Sequence, residues 1–131
     1  MSQKFEMIKD YAHKLDLRIV SEDEKQELIV VDDPENGIKN LIIDCAPPLV
    51  VFEQLIFQVK HDSVDLYKRL LQMNRTLVHG AFVLDENGKN ISFRDTLQLE
   101  NLDLNELEAS VQALSMALAE NGNELLDFAK K

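Results

Sequence analysis

The chain has 131 residues, with 14 Lys+Arg against 24 Asp+Glu, a formal net charge of −10, one Cys and no Trp. That surplus of acid argues against nucleic-acid binding, which needs Lys and Arg along at least one face. A single cysteine excludes an internal disulfide, and 45% apolar with 29% charged residues is the composition of a globular chain.

The length sets an expectation of one domain over residues 1–131, able to bury a core without disulfides or metals. No basic stretch followed by an apolar one opens the chain, and no apolar run approaches ~18 residues. The expectation is therefore a soluble, cytoplasmic protein with no membrane partner.

Residues 2–15 place Phe5, Ile8, Tyr11, Ala12 and Leu15 at helical spacing, with Ser2 available as N-cap. Leu17 to Ser21 reads as a short strand ended by the charged turn Glu22 to Lys25, and Glu27 to Asp32 as a second. Pro34 to Gly37 supplies a turn, Ile38 to Cys45 a third strand, and Pro47-Pro48 a break before a fourth. In that fourth strand, Leu49 to Val59, both faces carry apolar groups: Leu49, Val51, Leu55 and Phe57 on one, Val50, Phe52 and Ile56 on the other. A half-wetted antiparallel sheet shows clean alternation, so this part of the sheet is expected to be covered on both sides, the second cover being another copy of the chain.

Residues 63–77 form a second amphipathic helix containing Leu66, Tyr67 and Leu70. A hairpin follows, Ala81 to Leu84 and Ile91 to Arg94 around Asp85-Glu86-Asn87-Gly88, and Thr96 to Glu100 continues extended. Asp103 with Glu106 makes a capping box at the start of the last helix, which Asn121-Gly122 either ends or weakens. The expected fold is α+β: a mainly antiparallel, twisted sheet with three helices, in the order α-β-β-β-β-α-β-β-α.

Motifs for chemistry are sparse. His13, His61 and His79 lack partners at metal-ligand spacing, and Cys45 ends a β-branched strand where a small buried hydrophobe is the ordinary reading. Neither acidic loop fits calcium: Pro34 takes a ligand position in one, and the glycine falls at the wrong place in the other. No phosphate loop, nucleophile elbow or Cys-x-x-Cys pair occurs. No catalytic residue, metal or cofactor is assigned. Glu53 stands out as a carboxylate among apolar neighbours, with an ion pair or an edge position as its expected setting.

Charge is unevenly distributed. Residues 22–35 carry −6 and residues 97–129 carry −7, which leaves the rest at +3 with Lys60, Lys68, Arg69 and Arg75 in or beside the second helix. The acidity is thus expected on one side of the molecule and the basic groups on another.

From Leu70 onward the chain resembles the YbjN and type III secretion chaperone-like superfamily. The resemblance rests on Leu70-Leu71-Gln72-Met73-Asn74, on Gly80-Ala81-Phe82-Val83-Leu84-Asp85, on Ile91-Ser92-Phe93-Arg94 and on the capped helix from Asp103 to Leu118. It implies a twisted antiparallel sheet packed by helices, a homodimer, and a function without catalysis. The secretion chaperones hold an extended segment of an effector, whereas YbjN-like members are linked to stress and motility regulation. One difference is the four strands before the second helix, where the chaperones usually have three.

The functional expectation is a non-enzymatic, homodimeric chaperone or adaptor for an extended segment of another protein. Val50, Phe52 and Ile56 are the expected partner-binding residues, by strand addition or groove packing, and Leu66, Tyr67 and Leu70 the expected dimer contacts. The alternatives are a regulatory scaffold with a folded partner, and a small-ligand protein or enzyme whose pocket joins Glu53 with a histidine or Cys45.

Overall fold

The computed structural model describes residues 2–131. Helix α1 (Gln3–Lys14) starts at Ser2, whose hydroxyl accepts from the Phe5 N–H at 3.1 Å, and it buries Phe5, Ile8 and Ala12. Four strands follow, β1 (Arg18–Asp23), β2 (Leu28–Asp33), β3 (Ile38–Ala46) and β4 (Leu49–Gln58), then α2 (Val64–Thr76), β5 (Ala81–Leu84), β6 (Asn90–Gln98) and α3 (Leu104–Lys130). The strands form one antiparallel sheet of six in the order β1-β2-β3-β4-β6-β5. This is the expected fold class and element order.

Local chemistry sets the joints. Gly37 ends the short 3-10 turn Pro34–Asn36 in the left-handed region at φ 77°, which a residue without Cβ adopts at no steric cost. Pro47 and Pro48 form the turn between Ala46 and Leu49, the last pair of the β3–β4 ladder. Asp103 accepts from the Glu106 N–H at 2.8 Å and Glu106 reaches back to the Asp103 N–H, completing the capping box of α3.

Two details that the sequence reading left open are fixed by packing. The extended pieces around Ile91 and Thr96 are one strand, because β6 pairs with β4 along its length, from Leu49↔Gln98 to Gln58↔Asn90. Asn121-Gly122 does not end α3, because Leu125 beyond it is buried in the core and Glu124 is bonded to Arg69 of α2. Tertiary packing outweighs the roughly 1 kcal/mol helix penalty of one glycine.

Along the inner strands, Ile29, Val31, Leu41, Ile43, Val50 and Phe52 are buried, with Phe93 of β6 beside them. They meet Phe5 and Ile8 of α1 and Leu107 and Leu114 of α3 in one core. The adjacent register positions, Ile42 and Leu55 among them, are open. The helices therefore cover a single face of the sheet. Both faces of β4 are apolar and only one is covered within the chain, so the expected second cover would have to come from another molecule.

Part of the double-faced pattern has a local cause. The β4–β6 register slips between Leu55 and Phe57, so Ile56 is the extra residue of a β-bulge and Phe57 lies opposite the buried Ile91. Beyond the bulge the parity reverses, which puts Phe57 against the core and leaves Gln58 exposed.

Candidate partner-binding surface

Val50 and Phe52, expected to meet a partner, are buried at 0% and 2% exposure beneath the chain's own helices. Ile56 is half-buried at the bulge and packs on the same core. That assignment is corrected because these three residues lie on the face the chain itself covers. Gln54, on the same face, has both ends of its amide bonded: it accepts from the Lys39 N–H at 3.0 Å and donates to the Gly37 carbonyl at 3.1 Å, fixing the turn before β3.

On α2 the same correction applies. Leu66 and Leu70 are buried in the monomer core, and Tyr67 is half-buried with its hydroxyl donating to Asp62 at 2.8 Å. That bond holds the Tyr67 pKa above its ordinary value. The exposed apolar residues of the helix are Val64 and Leu71, so the stripe read as a dimer surface is the stripe that packs inward.

The open sheet face is built from residues at the other parity. One register row runs Val30, Ile42, Glu53, Arg94 and Ala81 across five strands. Leu28 and Val51 lie on one side of that row, and Leu55, 56% exposed, lies on the other opposite Ser92 and Val83. Glu53 and Arg94 pair across the strands at 3.3 Å, so their charges cancel in the central row of this face, while Asp44 stands between Leu28 and Val51 in the next row. The signal for this face was present in the alternation of β4. The helix positions that choose which parity to cover were not readable from it.

The edges of the sheet are less inviting than its face. β1 carries Arg18, Glu22 and Asp23 and a register slip between Ile19 and Ser21, devices that disfavour pairing with another strand. At the opposite edge, the Phe82 N–H donates to Asn74 Oδ1 at 2.7 Å and Asn74 Nδ2 donates to the Phe82 carbonyl at 3.0 Å. One side chain of α2 thus takes the place of a neighbouring strand.

The residues of the alternative pocket are kept apart. Cys45 is buried on the covered face opposite Val50, while Glu53 belongs to the open face. Burial first, then the charges of Glu27 and Asp44, push the Cys45 thiol pKa up, away from a reactive thiolate. His13, His61 and His79 are exposed. Among the described residues no cluster of His, Cys, Asp and Glu is arranged to hold a metal ion, and no helix is long and apolar enough to cross a membrane.

An α+β domain with three helices on one face of a six-stranded antiparallel sheet, and a second face left open that mixes apolar residues with the Glu53–Arg94 pair and Asp44, is the class this structure defines. The chain belongs to the CesT_Tir_1 family, whose profile matches residues 1–131. Among solved structures it is similar to YbjN from E. coli, with TM-score 0.70, 14% identity and 92% of each chain covered. It is also similar to an uncharacterized protein from Methanothermobacter thermautotrophicus, with TM-score 0.68, 17% identity, and 96% of this chain and 99% of the other covered. A third likeness is to the heterodimeric ExoU–SpcU complex from the type III secretion system of Pseudomonas aeruginosa, with TM-score 0.64, 18% identity, and coverage of 94% and 98%. No curated protein sequence matches the chain.

Proposed function

We propose that this protein is a non-enzymatic protein-binding module, a chaperone or adaptor that holds an extended segment of a partner as a homodimer. The observation that carries the reading is the open sheet face: Ile42, Val51 and Leu55 form an apolar surface around the neutral Glu53–Arg94 pair, with no covering element. Similar folds are recorded in the HopA1–SchA chaperone–effector complex and in the heterodimeric ExoU–SpcU complex of a type III secretion system. An extended segment fits this face better than an edge, because bulge and charge protect β1 and Asn74 occupies β5. The dimer contact moves to the outward residues of α2, Val64 and Leu71, beside Lys68 and Arg75.

The test is a photo-crosslinking residue at position 55, used in cells of the native host, with the captured partner peptide mapped. The expected product is a peptide from a region without fixed structure in the free partner, together with a dimer by sedimentation that Leu71→Asp dissociates. Capture of a rigid, folded surface would replace this reading with that of a regulatory scaffold.

A further inference from the structure

We propose that the solvent side of α3 is a second protein-docking surface, which takes a Lys/Arg-rich segment of a partner anchored by apolar side chains. It lies on the helical side of the molecule, away from the open sheet face, and does not depend on what occupies that face.

Three adjoining cavities of about 270, 250 and 260 Å³ wrap this side of the helix. The first two meet at Met116, which is 60% exposed and forms a ridge between them. Leu17 and Ile38 line one side of the ridge, and Leu77, Ala113 and Val78, the last 88% exposed, line the other. Single exposed apolar residues are ordinary on a protein surface, but here Val78 and Met116 share the wall of one groove.

The charge of the walls selects the occupant. Asp33 and Glu108 line the first cavity, Glu120 the second, and Asp95, Asp103 and Glu106 the third, while no Lys or Arg lines any of them. Among the described residues, none of these six carboxylates sits in an ion pair. The fold brings one acid of the first acidic segment, Asp33, beside those of α3 here, where Gly37 of the turn before β3 faces Leu118. The basic groups of α2 lie elsewhere, and Arg69 is already bound to Glu124. A cationic segment with apolar anchors satisfies both the grooves and their walls, whereas an acidic one is repelled.

The experiment measures binding of the full chain to an amphipathic Lys/Leu peptide and to its Glu/Leu counterpart. The Lys/Leu peptide should bind at least about tenfold tighter, and more weakly as salt rises. Met116→Asn and Val78→Asn remove the anchors without changing charge and should each weaken binding severalfold, as should Glu108→Gln and Glu120→Gln. Leu55→Asp on the open sheet face should leave it unchanged, so loss of the proposed function and loss of this site are read separately. Equal binding of the two peptides would overturn the proposal. So would an equal loss with Glu86→Gln on the distant hairpin loop, because the attraction would then belong to the whole molecule's field. A self-association abolished by Met116→Asn would assign the groove to a second copy and overturn it as well.

Discussion

Asn74 and Phe82 are joined by a reciprocal pair of hydrogen bonds, the side-chain amide of one meeting the backbone N–H and C=O of the other at 2.7 and 3.0 Å. A strand edge presents such a donor and acceptor at every second residue, and an Asn amide has the matching geometry. The relationship links the Leu70 to Asn74 and Gly80 to Asp85 segments: Asn74, in the last turn of α2, closes the sheet edge at β5. Asn74→Ala should destabilise the protein by about 1–3 kcal/mol, since it leaves part-buried backbone groups unpaired. Urea denaturation measures this, and a cost below roughly 0.5 kcal/mol would show that water replaces the amide without penalty. The variant should also associate more readily, because β5 then presents a free edge.

Gly80 lies two residues before Phe82, at φ 74°, and a Cβ built there overlaps the Phe93 ring. That ring has little room to move, being buried and held edge-on to Phe82 with centroids 6.0 Å apart. Gly80→Ala therefore combines left-handed backbone strain with overpacking, and should cost about 2–4 kcal/mol. Thermal unfolding should show a clear drop in Tm, whereas Gly88→Ala, with open space around its Cβ position, should show only the smaller backbone cost.

Much of this fold was legible because local signals agreed with one another. Ser2, the Asp103–Glu106 box and the spacing of Phe5, Ile8 and Ala12 each point to the element that forms. What periodicity cannot supply is the choice between two equivalent faces. Val50 and Val51 are the same residue type at adjacent positions, yet one is buried and the other half-open, because the helices pack on a single parity. The bulge at Ile56 was likewise unreadable, since it arises in the register with β6 and not in β4 alone. The charge reading is redrawn: Asp33 alone of the first acidic segment joins the acids of α3 at its grooves, and an arginine of α2 bonds to α3 through Glu124.

The two faces of β4 should respond oppositely to substitution. Phe52→Ala empties a site in the core and should cost about 3–5 kcal/mol, with loss of binding following only from unfolding. Leu55→Asp lies on the open face and should change stability by no more than about 0.5 kcal/mol while abolishing capture of the partner segment. Chemical denaturation and crosslinking on the same pair of variants check this. If Leu55→Asp binds as the parent does, the open face is not the docking surface.

The β5–β6 hairpin carries a built-in sensitivity to acid. The carboxylate of Asp85 accepts from the Lys89 N–H at 2.8 Å, from Asn90 Nδ2 at 2.7 Å and from the Asn90 N–H at 3.2 Å. These bonds, led by that to Lys89, hold its pKa below the usual carboxylate range. A group whose pKa is lower folded than unfolded stabilises the fold above its unfolded value, and that contribution disappears as pH falls through the folded one. Unfolding free energy should therefore drop as pH is lowered below about 4, more steeply in the parent than in Asp85→Asn. Amide exchange at Lys89 and Asn90 should quicken over the same interval. Parallel pH profiles for parent and variant would place the acid sensitivity elsewhere, with Glu27, whose pKa is lowered by the Ser2 N–H at 2.7 Å, as the next group to replace.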